Sequence, residues 1–249
     1  MEILGIDIGG SGIKGAPVNI RNGKLLAERH RIPTPTPSKP AQVAETVQQL
    51  VQHFKWQGQV GCGFPAVIHA GKGLTASNID KDWIGTNIVA VFTAATECEF
   101  HVLNDADAAG LAEMEFGAGR DQDGVVMVIT VGTGIGTALF TQRKLLPNTE
   151  FGQIILRGKI AEQYAADGVR KKLDLSWKRW SKRFNIYIAE IERLLWSDLI
   201  ILAGGISKKH VKFLPYLKSE TKIIPAQLLN DAGIIGAALA THQTYLADV

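Results

Sequence analysis

Apolar residues occur along this chain in short runs that end at glycine or at a polar residue, and the runs predict strands. Five of them have the length of buried or half-buried strands: residues 2–8, 60–64, 100–103, 125–131 and 199–203. Apolar residues at helical steps predict an amphipathic helix over 41–54, and an alanine-rich stretch predicts another helix over 105–116. The mixture of strands and helices along the whole chain indicates an α/β protein.

The pattern at the N-terminus occurs a second time further along the chain. Strand 2–8 is followed by a glycine turn, a second strand, an Asn22-Gly23 hairpin turn and a return strand over 25–32. Strand 125–131 is likewise followed by a glycine turn and two further short strands. This repeat of strand, glycine turn, strand, turn and strand indicates an internal duplication.

Glycine is concentrated in three turns, each directly after an apolar strand. The turns contain Gly10, Ser11 and Gly12; Gly132, Thr133 and Gly134; and Gly204 and Gly205. Residues 10–15 match the dinucleotide fingerprint, but Pro17 and β-branched residues follow where that fingerprint requires a helix. Glycines in such turns let backbone N–H groups point at one anion, which favours phosphate binding; tight hairpins without a ligand are the alternative.

Three charged side chains near these turns are candidates for phosphoryl-transfer chemistry. Asp7, at the end of the first strand, would hold Mg²⁺ through water, or would cap the turn. Lys14 would pair with a phosphate oxygen, or is a solvated lysine. Asp105, at the start of the predicted helix, is the candidate general base, with a helix N-cap as the alternative role. Its position makes it a better candidate than Asp107.

Four segments, in family order along almost the whole chain, resemble the motifs of the ROK sugar kinases in the actin-like ATPase superfamily. Residues 5–15 resemble the first phosphate motif, and residues 103–109 the sugar-binding and catalytic motif. Residues 129–136 resemble the second phosphate motif, and residues 202–207 the nucleoside-side motif. The resemblance implies an actin-like (ribonuclease H-like) fold with duplicated domains and an interdomain cleft.

The domain limits follow from this resemblance. We expect residues 1–104 to form an N-terminal sugar and phosphate domain, joined by a C-terminal helix from 230–249. We expect residues 105–229 to form the phosphate-donor domain. The family resemblance also implies a homodimer.

Within the family, the branch of polyphosphate glucokinases is the most similar. Residues 64–66, 78–86 and 147–150 resemble that branch, and so does Asp107, where most ROK proteins have Asn. The resemblance implies phosphorylation of glucose at its 6-hydroxyl, with inorganic polyphosphate or ATP as the donor. The alternatives are an ATP-only ROK hexokinase and a catalytically weak sugar-binding or regulatory ROK protein.

The same resemblance assigns roles to single residues. It implies that Asp105 is the general base toward the sugar 6-hydroxyl. It implies that the sugar hydroxyls are held by polar side chains that supply donors and acceptors: Asn78, Asn104, Glu150 and Glu162. Gln153 stands where most ROK kinases have a histidine that contacts the sugar. Glutamine forms hydrogen bonds but carries no charge, so an altered sugar affinity or choice is expected.

Composition argues against structural zinc and against a membrane-spanning segment. The chain has 249 residues, 46% hydrophobic and 20% charged, which is typical of a globular protein. Its two cysteines, Cys62 and Cys98, cannot form the zinc cluster of other ROK kinases, so we expect Mg²⁺ and no structural zinc. No apolar run approaches the roughly 20 residues that span a bilayer, and no signal peptide is recognisable. We therefore expect a cytoplasmic protein with no membrane partner.

The net charge of +3 conceals a basic segment over 169–183, with seven cations and one acid. Trp177 and Trp180 lie within it at helical spacing. One interpretation is a solvated helix with its tryptophans packed inward; basic residues among aromatics also occur in nucleic-acid interfaces, which we do not expect here. The other interpretation is a stripe that attracts polyphosphate, and its candidate residues are Lys171, Lys172 and Arg179.

Overall fold

The computed structural model describes residues 1–241, which divide into two compact units. The first contains residues 1–112 and 231–241, and the second contains residues 113–230. The domain limits expected from the sequence, 1–104 with 230–249 and 105–229, stay predictions. Residues 242–249 of the expected C-terminal helix lie outside the described part of the chain.

The α-helices of the described chain are numbered in chain order. They are α1 (Pro40–His53), α2 (Ile88–Thr96), α3 (Asp105–Phe116), α4 (Ala161–Ala165), α5 (Asp167–Lys172), α6 (Trp177–Leu194) and α7 (Ala232–Leu239). Helices α1 and α3 lie where the sequence pattern predicts them. None of these helices is long and apolar enough to cross a membrane.

The first unit is built on a six-stranded sheet and a small hairpin. Its strands are β1 (Glu2–Gly9), β2 (Gly12–Asn19), β3 (Lys24–Leu25), β4 (His30–Ile32), β5 (Gln59–Phe64), β6 (Ile68–His69), β7 (Lys72–Gly73) and β8 (Glu99–Asn104). The sheet order is β3-β2-β1-β5-β8, with β4 also paired to β2, and β6 pairs with β7. Strands β1, β5 and β8 are parallel, so their carboxyl ends meet at one edge.

The predicted return strand over 25–32 is interrupted. Its two ends form β3 and β4, and residues 26–29 leave the sheet between them. Arg29, in this interruption, forms an ion pair with Asp231, with 2.9 Å between Nη1 and Oδ1.

The second unit repeats the sheet of the first. Its strands are β9 (Val126–Val131), β10 (Ile135–Thr141), β11 (Lys144–Leu146), β12 (Ile155–Leu156), β13 (Lys159–Ile160), β14 (Leu199–Ala203) and β15 (Lys222–Pro225). The main sheet has the order β11-β10-β9-β14-β15, with β10 antiparallel to β9 and the last three strands parallel. The same order and directions occur in β3-β2-β1-β5-β8, so the predicted duplication is confirmed.

Each unit has its own hydrophobic core. In the first, α1 and α2 pack Val47, Leu50 and Phe92 with the inward side chains of the sheet. In the second, α6 contributes Trp180 and Phe184, both fully buried. The burial of these apolar side chains stabilises each sheet against its helices.

Candidate active site

The carboxyl edge of the first sheet brings together the two predicted carboxylates of this unit. The register places Asp7 of β1 beside Gly63 of β5, and Phe64 beside Asn104 of β8. A Cβ at Gly63 would lie 3.5 Å from the Cα of Asp105 and 3.8 Å from the carbonyl oxygen of Ile6. A glycine at this position therefore keeps the strand between the two carboxylates free of a side chain.

Asn104, rather than Asp105, caps the first turn of α3. Its Oδ1 accepts hydrogen bonds from the N–H groups of Ala106 and Asp107, at 2.8 and 3.1 Å. Its Nδ2 donates to the carbonyl oxygen of Ala66 at 3.1 Å, and the residue is buried. The half-buried Asp105 adds an acceptor to the Ala106 N–H at 2.9 Å. The N-terminus of a helix stabilises a negative charge at this place.

Asp7 and Lys14 form an ion pair across the first hairpin. They lie opposite each other in the β1–β2 register, with 2.8 Å between Oδ2 and Nζ. Their side chains are 15% and 23% exposed, so both remain within reach of a ligand. The Lys14 side chain is thus oriented by a carboxylate.

The first glycine turn joins β1 to β2 and exposes its tip. Gly10 and Ser11 are exposed, whereas Gly12 is buried. A Cβ at Gly10 would lie 3.4 Å from the carbonyl oxygen of Asn78, so the segment that carries Asn78 lies against the turn. A residue predicted to bind sugar and a turn predicted to bind phosphate therefore lie side by side in this unit.

Two residues that the sequence did not single out hold this turn from the neighbouring segment. Arg31 of β4 donates from Nη2 to the carbonyl oxygen of Ser11. Thr34 donates from Oγ1 to the carbonyl oxygen of Gly9 at 2.5 Å. Arg31 lies directly opposite Lys14 in the observed strand register, which the local sequence pattern does not reveal.

The second glycine turn follows β9 and packs against the start of α5. Gly132 donates its N–H to the carbonyl oxygen of Gly134 at 3.0 Å. The carbonyl oxygen of Gly132 accepts a hydrogen bond from the N–H of Gly168 at 2.9 Å. This close approach requires glycine at residue 168, because a Cβ there would lie 2.6 Å from the carbonyl oxygen of Thr133. Thr133 itself is exposed.

The third glycine turn lies next to the end of β9. Gly204 has a φ of +78°, which favours glycine, and a Cβ there would lie 2.7 Å from the backbone nitrogen of Val131. Gly205 follows it into a 3₁₀ helix over Gly204–Lys212. The second and third turns, Gly132–Gly134 and Gly204–Gly205, therefore follow neighbouring strands of the same sheet.

Glu150, Gln153 and Glu162 form a polar cluster in the second unit. Gln153 donates from Nε2 to Oε1 of Glu162 at 3.1 Å. Burial, and then the charge of Glu162, raise the pKa of Glu150 above its usual value. Gly152 packs onto the carbonyl oxygen of Ile135, where a Cβ would overlap it, and this contact brings the cluster next to the second glycine turn.

The basic segment contains cations in two different situations. Arg170 and Lys171 pair with the buried Asp167, at 2.6 and 2.9 Å, and Arg170 also lies 4.1 Å from the centre of the Trp177 ring. Lys172 and Arg179 are exposed. Asp167 lies just before the segment, which is why a count over 169–183 misses this neutralisation.

The tryptophans of the basic segment pack inward, as the first interpretation predicts. Trp180 is fully buried, and its Nε1 donates to the carbonyl oxygen of Ala165 at 2.8 Å. Trp177 stacks on Phe213, with ring centres 5.5 Å apart. The aromatic rings therefore pack into the core of the second unit.

Asp7 is the candidate protein ligand for a magnesium ion. Among residues 1–241, no three His, Cys, Asp or Glu side chains lie close enough together to hold a metal ion. Asp7 offers a partly exposed oxygen ligand beside the first glycine turn. Mg²⁺ commonly keeps several waters and binds through one or two carboxylates plus substrate phosphates, so a single Asp7 fits this ion.

Comparison with known proteins identifies the family. The sequence profile of the ROK family matches residues 3–155. The chain is 45% identical to the polyphosphate glucokinase of Mycobacterium tuberculosis over 241 residues, which cover 96% of this chain and 90% of that protein. It is 44% identical to the inorganic polyphosphate/ATP-glucomannokinase from Arthrobacter sp. strain KM, with a TM-score of 0.94 and coverage of 96% and 97%.

A more distant structure, the ROK glucokinase from Streptomyces griseus solved with glucose and AMPPNP, shares the fold at 23% identity and a TM-score of 0.82, with coverage of 96% and 98%. The fold is thus the actin-like ATPase fold that the resemblance implied. On the profile match and the 45% identity together, this chain belongs to the ROK family.

Proposed function

We propose that this chain transfers a phosphoryl group from inorganic polyphosphate to the 6-hydroxyl of glucose, and that ATP is a second donor. The observation that carries the proposal is the position of Asp105 at the carboxyl end of β8. Asp105 lies next to Gly63 of β5, and Gly63 is paired with Asp7 of β1. The names of the two relatives, a polyphosphate glucokinase and a polyphosphate/ATP-glucomannokinase, support the choice of donor and sugar.

Asp105 would act as the general base. A carboxylate at a helix N-terminus stays ionised and accepts the proton of the attacking hydroxyl. Asn104 fixes its direction by capping the helix that Asp105 begins. With Oδ1 accepting two N–H groups and Nδ2 donating to Ala66, Asn104 would offer the sugar an N–H donor rather than an acceptor.

We expect the remaining sugar contacts from Asn78, Glu150, Gln153 and Glu162. Carboxylates accept hydrogen bonds from hydroxyls, and Gln153 orients Glu162 by donating to it. A neutral glutamine at this position holds its partner by one hydrogen bond without adding a charge.

The phosphate donor would bind at the glycine turns through their backbone N–H groups. The candidate residues are Gly10, Ser11, Gly12, Lys14, Gly132, Thr133, Gly134, Gly204 and Gly205. Asp7 would hold Mg²⁺ through water, and this ion would neutralise charge that develops on the transferred phosphoryl group. The Asp7–Lys14 pair keeps the carboxylate in place beside the turn.

The direct test is formation of glucose 6-phosphate by the purified protein with Mg²⁺ and either polyphosphate or ATP. We expect product with polyphosphate, and competition between the two donors when both are present. Product with ATP alone would favour an ATP-only ROK hexokinase. Glucose binding measured by calorimetry without product from either donor would favour a sugar-binding or regulatory protein.

The proposed homodimer is tested separately. Light scattering coupled to size exclusion should give twice the mass of the 27.0 kDa chain. The monomer mass at all concentrations would contradict it.

The cluster around Glu150 predicts a pH effect on sugar binding. Ionised Glu150 accepts hydroxyl hydrogen bonds, so glucose affinity should rise as pH increases through the raised pKa of Glu150. Glu162→Gln removes the neighbouring negative charge and lowers the pKa of Glu150, although burial still keeps it above the usual value. The acid limb of a glucose KM profile should therefore move to lower pH in this variant.

The position of that limb, and not the size of KM, is the readout, because Glu162→Gln also removes a hydroxyl acceptor. Glu220→Gln is the matched control, since it removes an exposed carboxylate of the same unit. Identical limbs in wild type and Glu162→Gln would contradict the coupling between the two glutamates.

The basic segment predicts a donor-specific effect. Helix α5 begins against the second glycine turn, and its last residue, Lys172, lies about 8 Å further along the helix axis. A long polyanion bound at the turn would pass these cations, whereas ATP is too short to use them all. Replacing Lys171, Lys172 and Arg179 by Gln should raise KM for polyphosphate about tenfold, and KM for ATP much less.

The matched control replaces three exposed cations of the first unit by Gln: Arg21, Lys24 and Lys55. The polyphosphate KM of the stripe variant should also depend less steeply on salt than that of wild type. An equal rise in KM for both donors would argue against a polyphosphate stripe.

A further inference from the structure

We propose that Arg31 binds the phosphoryl group held at the first glycine turn, so that this turn recognises phosphate through a guanidinium as well as through its backbone. The inference rests on the proposed function, because it adds a binding residue for the same donor. Arg31 lies on β4, outside all the segments that resemble ROK motifs.

The guanidinium of Arg31 lies directly on the turn. Its Nη2 donates to the carbonyl oxygen of Ser11, and a Cβ at residue 12 would overlap the guanidinium. This cover explains why Gly12 is buried while Gly10 and Ser11 are exposed. The charged group is therefore next to the exposed backbone that would hold the phosphate.

Strand register places Arg31 in a row of charges across three neighbouring strands. Asp7 of β1 lies opposite Lys14 of β2, and Lys14 lies opposite Arg31 of β4. Residues directly opposite each other in antiparallel strands share one face of the sheet, and like charges in such pairs destabilise it. Asp7 neutralises Lys14 at 2.8 Å, so the row has one positive charge in excess.

Arg31 has no carboxylate partner among residues 1–241. Two other arginines do have a carboxylate partner: Arg29 pairs with Asp231, and Arg170 pairs with Asp167. The guanidinium has five N–H donors in a planar fork that matches two oxygens of a phosphate. An anion at this turn would supply the missing negative charge and relieve the repulsion between Lys14 and Arg31.

A purely structural role is the competing explanation, because Arg31 also ties β4 to the turn. The turn already has an uncharged tie of the same kind, from Thr34 to Gly9. An exposed guanidinium gains little stability from such a contact, since water screens its charge. The two roles differ in what they predict for anion binding.

The test is calorimetric titration of the full-length chain with inorganic tripolyphosphate, for wild type, Arg31→Gln and Arg31→Lys. Arg31→Gln should weaken tripolyphosphate binding about tenfold or more, because it removes charged hydrogen bonds to the anion. Arg31→Lys should lose less, since it keeps the charge without the fork. The glucose dissociation constant should not change in either variant.

Arg21→Gln is the matched control. Arg21 is exposed in the same unit and lies beyond the opposite end of β2, so removing its charge should leave tripolyphosphate binding unchanged. If Arg31→Gln does not fold, judged by circular dichroism, the intermediate affinity expected of Arg31→Lys carries the test.

The outcomes separate this inference from the proposed function. Wild type that forms glucose 6-phosphate, with unchanged tripolyphosphate affinity in Arg31→Gln and Arg31→Lys, would overturn the role of Arg31 alone. Parallel losses of glucose affinity and melting temperature in both variants would show a structural tie and also overturn it. Absence of any glucose 6-phosphate from wild type would overturn the proposed function instead.

Discussion

Asp105→Asn is expected to reduce kcat for glucose phosphorylation about 10²- to 10⁴-fold, the range for loss of a general base. The amide has nearly the shape of the carboxylate, but it cannot take the proton of the attacking hydroxyl. Asn104 still caps α3 through two backbone N–H groups, so the helix should keep its start in the variant. Glucose affinity, measured by calorimetry, should therefore change little while kcat falls with either donor.

Asp107→Asn is the control on the same helix. Asp107 is buried, and its N–H is capped by Asn104, so it lies within the same turn of helix as Asp105. Most ROK proteins have Asn at this position, and the variant should retain most of the activity. Full activity in Asp105→Asn would remove Asp105 from the role of base, and a large loss in Asp107→Asn would move that role to the second carboxylate.

A fall in kcat without a fall in glucose affinity in Asp105→Asn would also distinguish a kinase from a catalytically weak sugar-binding protein. In a protein that only binds sugar, Asp105→Asn would affect binding or nothing. The neutral Gln153 raises this alternative, because it stands where most ROK kinases have histidine. In the structure Gln153 orients Glu162 by a hydrogen bond. Both a kinase and a sugar-binding protein could use this contact, so only a measurement of product formation distinguishes the two.

The parts of the fold that the sequence predicted are those fixed by local pattern. Helix α3 has the predicted bounds because Asn104 caps it, Asp105 begins it and Gly117 follows it. The apolar runs of β1 and β9 stop at glycines, so their ends were predicted to within one residue. The three glycine turns were found for the same reason.

The role of Arg31 depends on register, which no local pattern contains. Val18 pairs with Leu25 near the hairpin turn, and that register, if continued, would place Arg29 opposite Lys14. The interruption at 26–29 shifts the pairing by two residues, so Arg31 occupies this position. A shift of two preserves the face of the sheet, and therefore nothing in the alternation of apolar residues reveals it.

The pairing in the basic segment also depends on tertiary structure. Asp167 lies outside the run of cations. Burial raises its pKa, but the hydrogen bonds and charges of Lys171 and Arg170 have the larger combined effect, so its pKa lies below the usual value. The single charge of Asp167 thereby offsets one of the two positive charges of Arg170 and Lys171 before any ligand binds. Of the three candidate residues, Lys172 and Arg179 form no ion pair within residues 1–241, so we expect them to contribute most to the attraction of polyphosphate.

Gly236→Ala is expected to destabilise the first unit by about 2 kcal/mol or more, the net of overpacking and a gain in helix propensity. Helix α7 packs against β1 and β5 and touches α3 without a side chain between the two backbones. A Cβ at residue 236 would overlap the carbonyl oxygen of Ala108, which is part of a helix backbone and cannot rotate away. The melting temperature should fall by about 4–8 °C or more.

Gly233→Ala is the matched control, because it makes the same change three residues earlier in the same helix. Its Cβ would lie 2.5 Å from Oδ2 and 2.7 Å from Cγ of Asp7, which belong to a side chain that can rotate, unlike the backbone of a helix. The melting temperature should change little, but displacement of Asp7 should separate it from Lys14 and raise the Mg²⁺ concentration needed for half-maximal activity. Equal melting temperatures for Gly236→Ala and wild type would mean that α7 can shift on the sheet, and would contradict close backbone packing as the reason for glycine at this position.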